Sequence, residues 1–315
     1  MQEALDQANK VLQDAITACT AECLSLSGGL DSTILAYLLK ERKPRAVSII
    51  ASDFVANDLT YCQMAAQRFD LPLSIIMCDI GMVYNGIEET VKILKNFNDI
   101  EIRNNVVHYL AISEVKKSGF DKIITGDGAD EIFAGYNFLL RKTKQEIQAD
   151  LKRISKIMHF PAQKIGASLG VMVESPFCSK EVIEFAKIIP TDLLVREENG
   201  KKYGKWILRK SFEEKIPKAI AWRQKSPMQD GAGTHGLTEF FEHIIPDSVF
   251  AEKTRKISEK DGIVIRTKES LHYYEIYRKN YEPDTPDNPG VKCPDCHHPI
   301  DSDSKFCRMC GRFPL

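Results

Sequence analysis

Three clusters of residues carry spacings that chemistry would need. The first, Leu26-Ser27-Gly28-Gly29-Leu30-Asp31-Ser32-Thr33, falls where a short apolar run gives way to a helical pattern. Two glycines let the backbone approach a ligand closely and adopt turn dihedrals that other residues resist. A helix starting there offers unpaired N–H groups and the positive end of its dipole. Hydroxyls of Ser27, Ser32 and Thr33 add donors. The set reads as a pyrophosphate cradle, with a capped tight turn as the plainer alternative. It is neither a Walker A loop, because no Gly-Lys-Ser/Thr follows, nor G-x-G-x-x-G. The second cluster, Thr125-Gly126-Asp127-Gly128-Ala129-Asp130-Glu131-Ile132-Phe133-Ala134-Gly135-Tyr136, follows a strand candidate and carries three carboxylates. Ligands of open α/β sheets bind at such strand ends. Carboxylates facing phosphate oxygens repel them unless a hard cation lies between, which implies Mg²⁺; the alternative is a capping role for Asp127 or Asp130. The third cluster is Cys293-Pro-Asp-Cys296 and Cys307-Arg-Met-Cys310, two C-x-x-C knuckles separated by ten residues. Four thiolates at that spacing close a tetrahedral Zn²⁺ site with no open position, so the zinc would be structural.

The first two clusters need a scaffold that brings loops together. Strand candidates at 21–26, 46–51, 73–78 and 122–125 alternate with helical patterns at 32–40, 60–69, 87–97 and 106–117. That order predicts an α/β fold with an open parallel sheet and helices on both faces. Residues 1–20 form an amphipathic N-terminal helix, and 21–150 the α/β domain that carries the first two clusters. From 151 to 281 helical patterns dominate, at 151–159, 180–188, 205–212, 237–244 and 268–281. Residues 282–291 hold three prolines and read as a linker. Residues 292–315 form a zinc ribbon too small to fold without its metal.

Composition narrows the class. The 315 residues allow about two domains. With 43% apolar and 28% charged residues the chain is an ordinary globular protein, which excludes extensive disorder and fibrous repeats. Lys and Arg number 43 against 44 Asp and Glu, so bulk charge gives a broad nucleic-acid surface no support. No signal peptide or membrane span is legible. The scattered Cys19, Cys23, Cys62, Cys78 and Cys178 read as reduced, buried thiols in a cytoplasmic protein.

The octet at 26–33 resembles the PP-loop of the ATP pyrophosphatases, whose members cleave ATP between the α and β phosphates. The segment 125–136 resembles the Ser-Gly-Glu-Gly-Ser-Asp-Glu-Val-Phe-Gly-Gly-Tyr of asparagine synthetases. A third series is similar to theirs in order and interval: Lys205-x-x-Leu208-Arg209, Ile216-Pro217, Trp222-Arg223-Gln224-Lys225 and Asp230-Gly231. The resemblance covers about residues 20–240. It implies that a substrate carboxylate attacks the α-phosphorus of ATP, pyrophosphate leaves, and an amine displaces AMP from the acyl-adenylate. Amides of Ser27, Gly28, Gly29 and Leu30, with Ser32 and Lys205, would bind ATP and its pyrophosphate. Asp31 and Asp130 would ligate Mg²⁺, and Lys225 would act on the α-phosphorus and the leaving group. Leu26 and Ile50 would flank adenine, Thr125 and Gly126 would contact AMP, and Asp127 stands where the family has a catalytic Glu.

Departures from the pattern put aspartate in doubt as the acceptor. Asp127 is one methylene shorter than that Glu. Where the family has Gly-Val-Glu-Ala-Arg-x-Pro-Phe-Leu-Asp around the acceptor pocket, this chain has Gly170-Val-Met-Val-Glu-Ser-Pro-Phe-Cys-Ser179. A Thr-Thr-Ile-Arg stretch becomes Ile100-Glu101-Ile102-Arg103. Met1 is followed by Gln2 and only about 20 residues precede the loop, so the resemblance does not extend to a glutaminase with an N-terminal Cys nucleophile. The expected nitrogen source is free ammonia, another amine or a separate glutaminase subunit. The ribbon is expected to contact protein or RNA. Alternative readings are a tRNA-thiolating PP-loop enzyme and a non-catalytic nucleotide-binding protein.

Overall fold

A computed structural model describes residues 1–287, 290–301 and 303–315. Asn288 and Pro289 of the expected linker and Ser302 of the ribbon lie outside the described residues. Five parallel strands, β1 (Cys23–Ser25), β2 (Arg45–Ala51), β3 (Leu73–Cys78), β4 (Lys122–Ile124) and β5 (Met172–Glu174), form a sheet in the order β3-β2-β1-β4-β5. The strand order reverses direction at β1, between β2 and β4. That switch point is where two loops splay apart and leave a crevice at the strand ends.

Alternation along the strands separates two apolar layers. Leu24, Ala46 and Ile124 pack with α1 (Gln2–Thr17), α2 (Leu30–Leu39) and α3 (Asp58–Phe69). Cys23, Val47, Ile49 and Ile123 face the opposite layer, built on α4 (Ile80–Leu94) and α5 (Asp99–Lys117). A period of two on strands buried on both faces gives this division. The helix starts follow their caps. Asp79 accepts from Met82 N at 2.8 Å to begin α4, and Asn98 accepts from Glu101 N at 3.3 Å to begin α5.

The sheet does not stop at residue 150. Its fifth strand comes from 172–174, after the helices α6 (Ala129–Ile132), α7 (Lys144–Ile157) and α8 (Pro161–Leu169), with α9 (Lys180–Ile188) following. A small antiparallel hairpin, β6 (Arg196–Glu198) and β7 (Lys201–Tyr203), precedes a helix over Trp206–Phe212. Helices Leu237–Ile244 and Lys268–Asn280 extend the second layer, and the four-cysteine unit packs into the same layer through Cys293, Cys296, Cys307 and Met309. Among the described residues, no helix is long and apolar enough to cross a membrane.

Candidate active site

At the switch point, the turn after β1 is shaped by its own hydroxyls. Ser27 Oγ accepts from Gly29 N at 3.2 Å and lies 3.2 Å from Ser32 Oγ, which in turn donates to Gly29 O at 3.3 Å. Gly28 sits at φ +73°, and a Cβ there would stand 2.3 Å from the carbonyl carbon of Tyr61 and 2.4 Å from Cys62 N. The turn is thus pressed against α3, where only glycine fits. Gly29 caps α2 with extended backbone and no side-chain cap, which leaves the first amides of the helix open to an anion.

Loop 125–136 crosses beside this turn. Asp130 and Asp31 converge on one ammonium: Lys205 Nζ lies 2.5 Å from Asp31 Oδ2 and 2.7 Å from Asp130 Oδ1. A second ammonium, Lys225 Nζ, lies 3.0 Å from Asp130 Oδ2. Lys205 is buried and takes a left-handed backbone (φ +53°) just before its helix, and its amide donates to Phe133 O at 3.0 Å. Gly135 makes this approach possible, since a Cβ there would stand 1.9 Å from Asp130 Oδ1 and 2.2 Å from Lys205 Cε.

The electrostatics follow from who touches whom. Burial pushes both carboxyls up; Asp130, paired with both lysines, is held well below the usual carboxylate range, whereas Asp31, paired with one, stays raised. Burial opposes the charge on Lys205, but the two carboxylates outweigh it and raise its pKa. The four charges cancel, so an incoming polyphosphate adds net negative charge that a divalent cation would offset. Asp31 Oδ1 is a buried oxygen with no hydrogen-bond partner among the described residues. A buried carboxylate oxygen without a partner fits a Mg²⁺ ligand.

Lys225 depends on residues that the motif names without explaining. Arg209 is buried and donates from Nε to Gly204 O at 2.9 Å, and from NH1 to Ala221 O at 2.6 Å and Arg223 O at 2.8 Å. It therefore ties together the chain before Lys205 and the chain before Lys225. Arg223 lies 3.8 Å over the Tyr61 ring and pairs with Asp58 Oδ1 at 3.1 Å. Burial pushes the Asp58 carboxyl up to about 6 despite Arg223. Asp58 escaped the sequence reading because an acid at a helix start looks like a cap; only its partner 165 residues away reveals it.

These groups line a cavity of about 720 Å³, within the range of small-molecule sites. Leu26, Ser27, Gly29, Leu30, Asp31, Ser32, Thr125, Gly126, Asp127, Asp130, Lys205 and Lys225 all face it. Gly28 and Ile50 do not. Gly28 is turned onto α3, and the buried Ile50 yields the cavity edge to Val47, Ser48 and Ile49. Asp127 is held by Thr125 Oγ1, which donates to its Oδ2 at 2.9 Å, and His108 Nε2 lies 3.6 Å from its Oδ1. His108 also lines the cavity; a lone histidine inside an apolar helix carried no signal in the sequence.

The residues expected around an acceptor pocket are placed otherwise. Met172 is on the outermost strand and 58% exposed. Glu174 accepts from Thr20 N at 2.9 Å and Ala21 N at 3.0 Å, which fastens the chain between α1 and β1. Ser179 caps α9 by accepting from Val182 N at 3.3 Å. Arg103 is buried in an ion pair with Glu269 Oε2 at 2.8 Å and donates to Gln229 Oε1 at 3.2 Å. Of that set only Ile100 and Glu101 reach the cavity.

The four cysteine sulfurs, at the C-terminal end, lie within 4.8 Å of one another. Cys293 and Cys310 are 3.6 Å apart, and Cys296 and Cys307 are 3.5 Å apart. A tetrahedral ion with metal–sulfur bonds near 2.3 Å requires sulfurs about 3.8 Å apart, so the cluster fits a metal centre.

Comparison with known proteins bears on the part of this arrangement that precedes the cysteine cluster. A family model described as asparagine synthase matches residues 7–151 and 141–275. A probable glutamine-hydrolysing asparagine synthetase of Dictyostelium discoideum is 26% identical over 298 residues, covering 85% of this chain and 52% of that protein. Asparagine synthetase 2 (glutamine-hydrolysing) of Oryza sativa subsp. japonica is 26% identical over 297 residues, covering 85% and 49%. Its namesake in Lotus japonicus is 27% identical over 240 residues, covering 69% and 40%. The chain spans about half the length of these curated relatives. With the family model matching from residue 7 to residue 275, across the glycine turn, the carboxylate loop and the two lysines, the chain belongs to the asparagine synthase family.

Proposed function

We propose that this chain is an ATP-dependent, AMP-forming amide ligase. The observation that carries the reading is the convergence of a phosphate turn, two carboxylates and two ammonium groups on one cavity. ATP would lie with its adenine over Leu26 and the Val47–Ile49 edge and its triphosphate on Ser27–Leu30. A carboxylate oxygen of the substrate attacks the α-phosphorus, the bond to the oxygen bridging the α and β phosphates breaks, and pyrophosphate leaves with the electron pair. The amides at the start of α2 and the Lys225 ammonium receive that charge. Asp31 and Asp130 would hold Mg²⁺, which supplies charge neutralisation for the leaving group.

In the second half-reaction an amine nitrogen attacks the acyl carbon, AMP departs with the bonding pair, and the nitrogen gives up its proton. Asp127, which lines the cavity and accepts from Thr125 Oγ1, is the group proposed to take that proton. Ammonia, free or delivered by a partner glutaminase, is the proposed nitrogen donor, and the reaction is proposed to run in the cytoplasm. The four-cysteine cluster is proposed to hold structural zinc. Thiolation chemistry is disfavoured: burial pushes Cys178, next to the 125–136 loop, up to about 12, and raises Cys62 and Cys78 as well.

The test is exchange of labelled pyrophosphate into ATP, screened across carboxylic acids. Exchange with at least one acid, lost in Lys225→Gln, supports the reading. Acid-independent turnover to ADP and phosphate, or ATP binding with no exchange for any acid, overturns it.

A further inference from the structure

The four-cysteine unit is part of the cavity. Phe306, Arg308, Gly311 and Phe313 line it together with Asp127 and Lys225. The unit is fixed there by backbone and side-chain contacts. Phe97 N donates to Met309 O at 2.9 Å, Val264 N donates to Asp295 O at 2.8 Å, and the Arg308 guanidinium donates to Ile157 O. A Cβ on Gly311 would stand 2.9 Å from Asn98 Oδ1, so the second knuckle rests on the residue that caps α5. The first turns of α5, through Ile100, Glu101, Asn104 and His108, then continue the same wall.

The first turns of α5 offer no free cation to the second carboxylate of a small dicarboxylic acid. Arg103, the one cation in the 100–103 stretch, is consumed by Glu269. Glu101 places a carboxylate on the wall instead, 3.6 Å from His159. Three aromatic rings face the cavity at this end: Phe160 and Phe306, both half-buried, and Phe313, 71% exposed. Arg308 lies 5.5 Å from the Phe306 ring centroid. Exposed rings around a cavity gain free energy when an apolar group covers them.

Resting on the adenylating reading above, we propose that the four-cysteine unit is the acyl-binding wall of the cavity. It selects a carboxylic acid with an aromatic or bulky apolar body over a small dicarboxylic acid, with Phe306 and Phe313 as the specificity-determining residues. Metal at the cysteines then shapes a substrate site without touching substrate.

The test is calorimetric binding of three non-reactive ligands to the full metal-loaded chain: sulfamoyladenosine, its aspartyl derivative and its phenylpropanoyl derivative. The phenylpropanoyl derivative is expected to bind at least about tenfold more tightly than the aspartyl one, as burial of one ring implies. Phe313→Ala, at an exposed position, is expected to weaken the phenylpropanoyl derivative alone by about three- to tenfold; Phe306→Ala, checked for retained metal, should act in the same direction. Equal or tighter binding of the aspartyl derivative, or equal weakening of all three ligands by Phe313→Ala, overturns the proposal. Failure of sulfamoyladenosine itself to bind strikes the nucleotide reading instead, and the proposal falls with it.

Discussion

Lys225 Nζ lies 3.0 Å from Asp130 Oδ2, across 95 residues of chain, and so joins the carboxylate loop to the segment that follows Arg223. The pair fixes where the Lys225 ammonium stands in the cavity, which its proposed role beside the α-phosphorus requires.

Replacing Lys225 with Gln removes the charge and keeps a polar donor on a side chain one atom shorter. Pyrophosphate exchange is expected to fall by about two to three orders of magnitude, the usual cost of losing one charge-stabilising donor. Nucleotide affinity should change far less. Exchange rates and calorimetric ATP binding, measured side by side, separate the two effects.

Gly28→Ala tests the turn without adding any charge. The new methyl would meet the backbone of Tyr61 and Cys62, and the residue would keep φ +73°. A loss of about 1–3 kcal/mol in denaturant-measured stability is expected from strain and overpacking. Weaker ATP binding should accompany it, because the turn can relieve the clash only by moving off α3.

The Asp58–Arg223 pair predicts a pH dependence. Asp58 holds its proton up to about pH 6 in the fold, against about 4 for a free aspartate. As pH falls through 6 the carboxylate neutralises and loosens Arg223, so ATP binding should weaken. The stability linkage has the opposite sign: this group binds its proton more tightly folded than unfolded, so its contribution grows as pH falls from about 6 toward 4. Asp58→Asn should flatten both trends, read as ATP affinity and as unfolding free energy over that window.

Cys293→Ser removes a thiolate from the cluster. Metal content measured on the purified protein should drop, and hydrogen exchange should speed up at Phe97, whose amide is bonded to Met309 O. Unchanged metal content would show that the cysteines are not its ligands.

The sequence made the central scaffold legible and left its periphery dark for physical reasons. β3 and α9 match the expected 73–78 and 180–188 because long apolar periodicity bounded by Pro or a cap leaves little freedom. α4 begins at Ile80 instead of 87 because Asp79 caps it, a single-residue signal outweighed in the reading by the later apolar positions. β1 and β4 are as short as β5, β6 and β7, but they sit in apolar runs, whereas β6 and β7 are mostly charged residues and β5 holds one β-branched residue between Met172 and Glu174. The helix Asp247–Asp261 buries no residue, so it has no apolar stripe to read. At the site, the resemblance pointed to Asp31, Asp130, Lys205 and Lys225, and the structure brings their charged groups together. Arg103 looked like an acceptor ligand because its partner Glu269 is 166 residues away. Nothing in the cysteine spacing indicated that Phe306 and Phe313 would reach the cavity.

The most direct test is a structure of the metal-loaded protein with a non-hydrolysable ATP analogue and Mg²⁺. The account predicts the β and γ phosphates on the turn at the start of α2, the α-phosphate facing Lys225, and the cation on Asp31 and Asp130. Adenine in that turn, or phosphates pointing away from Lys205 and Lys225, would contradict it.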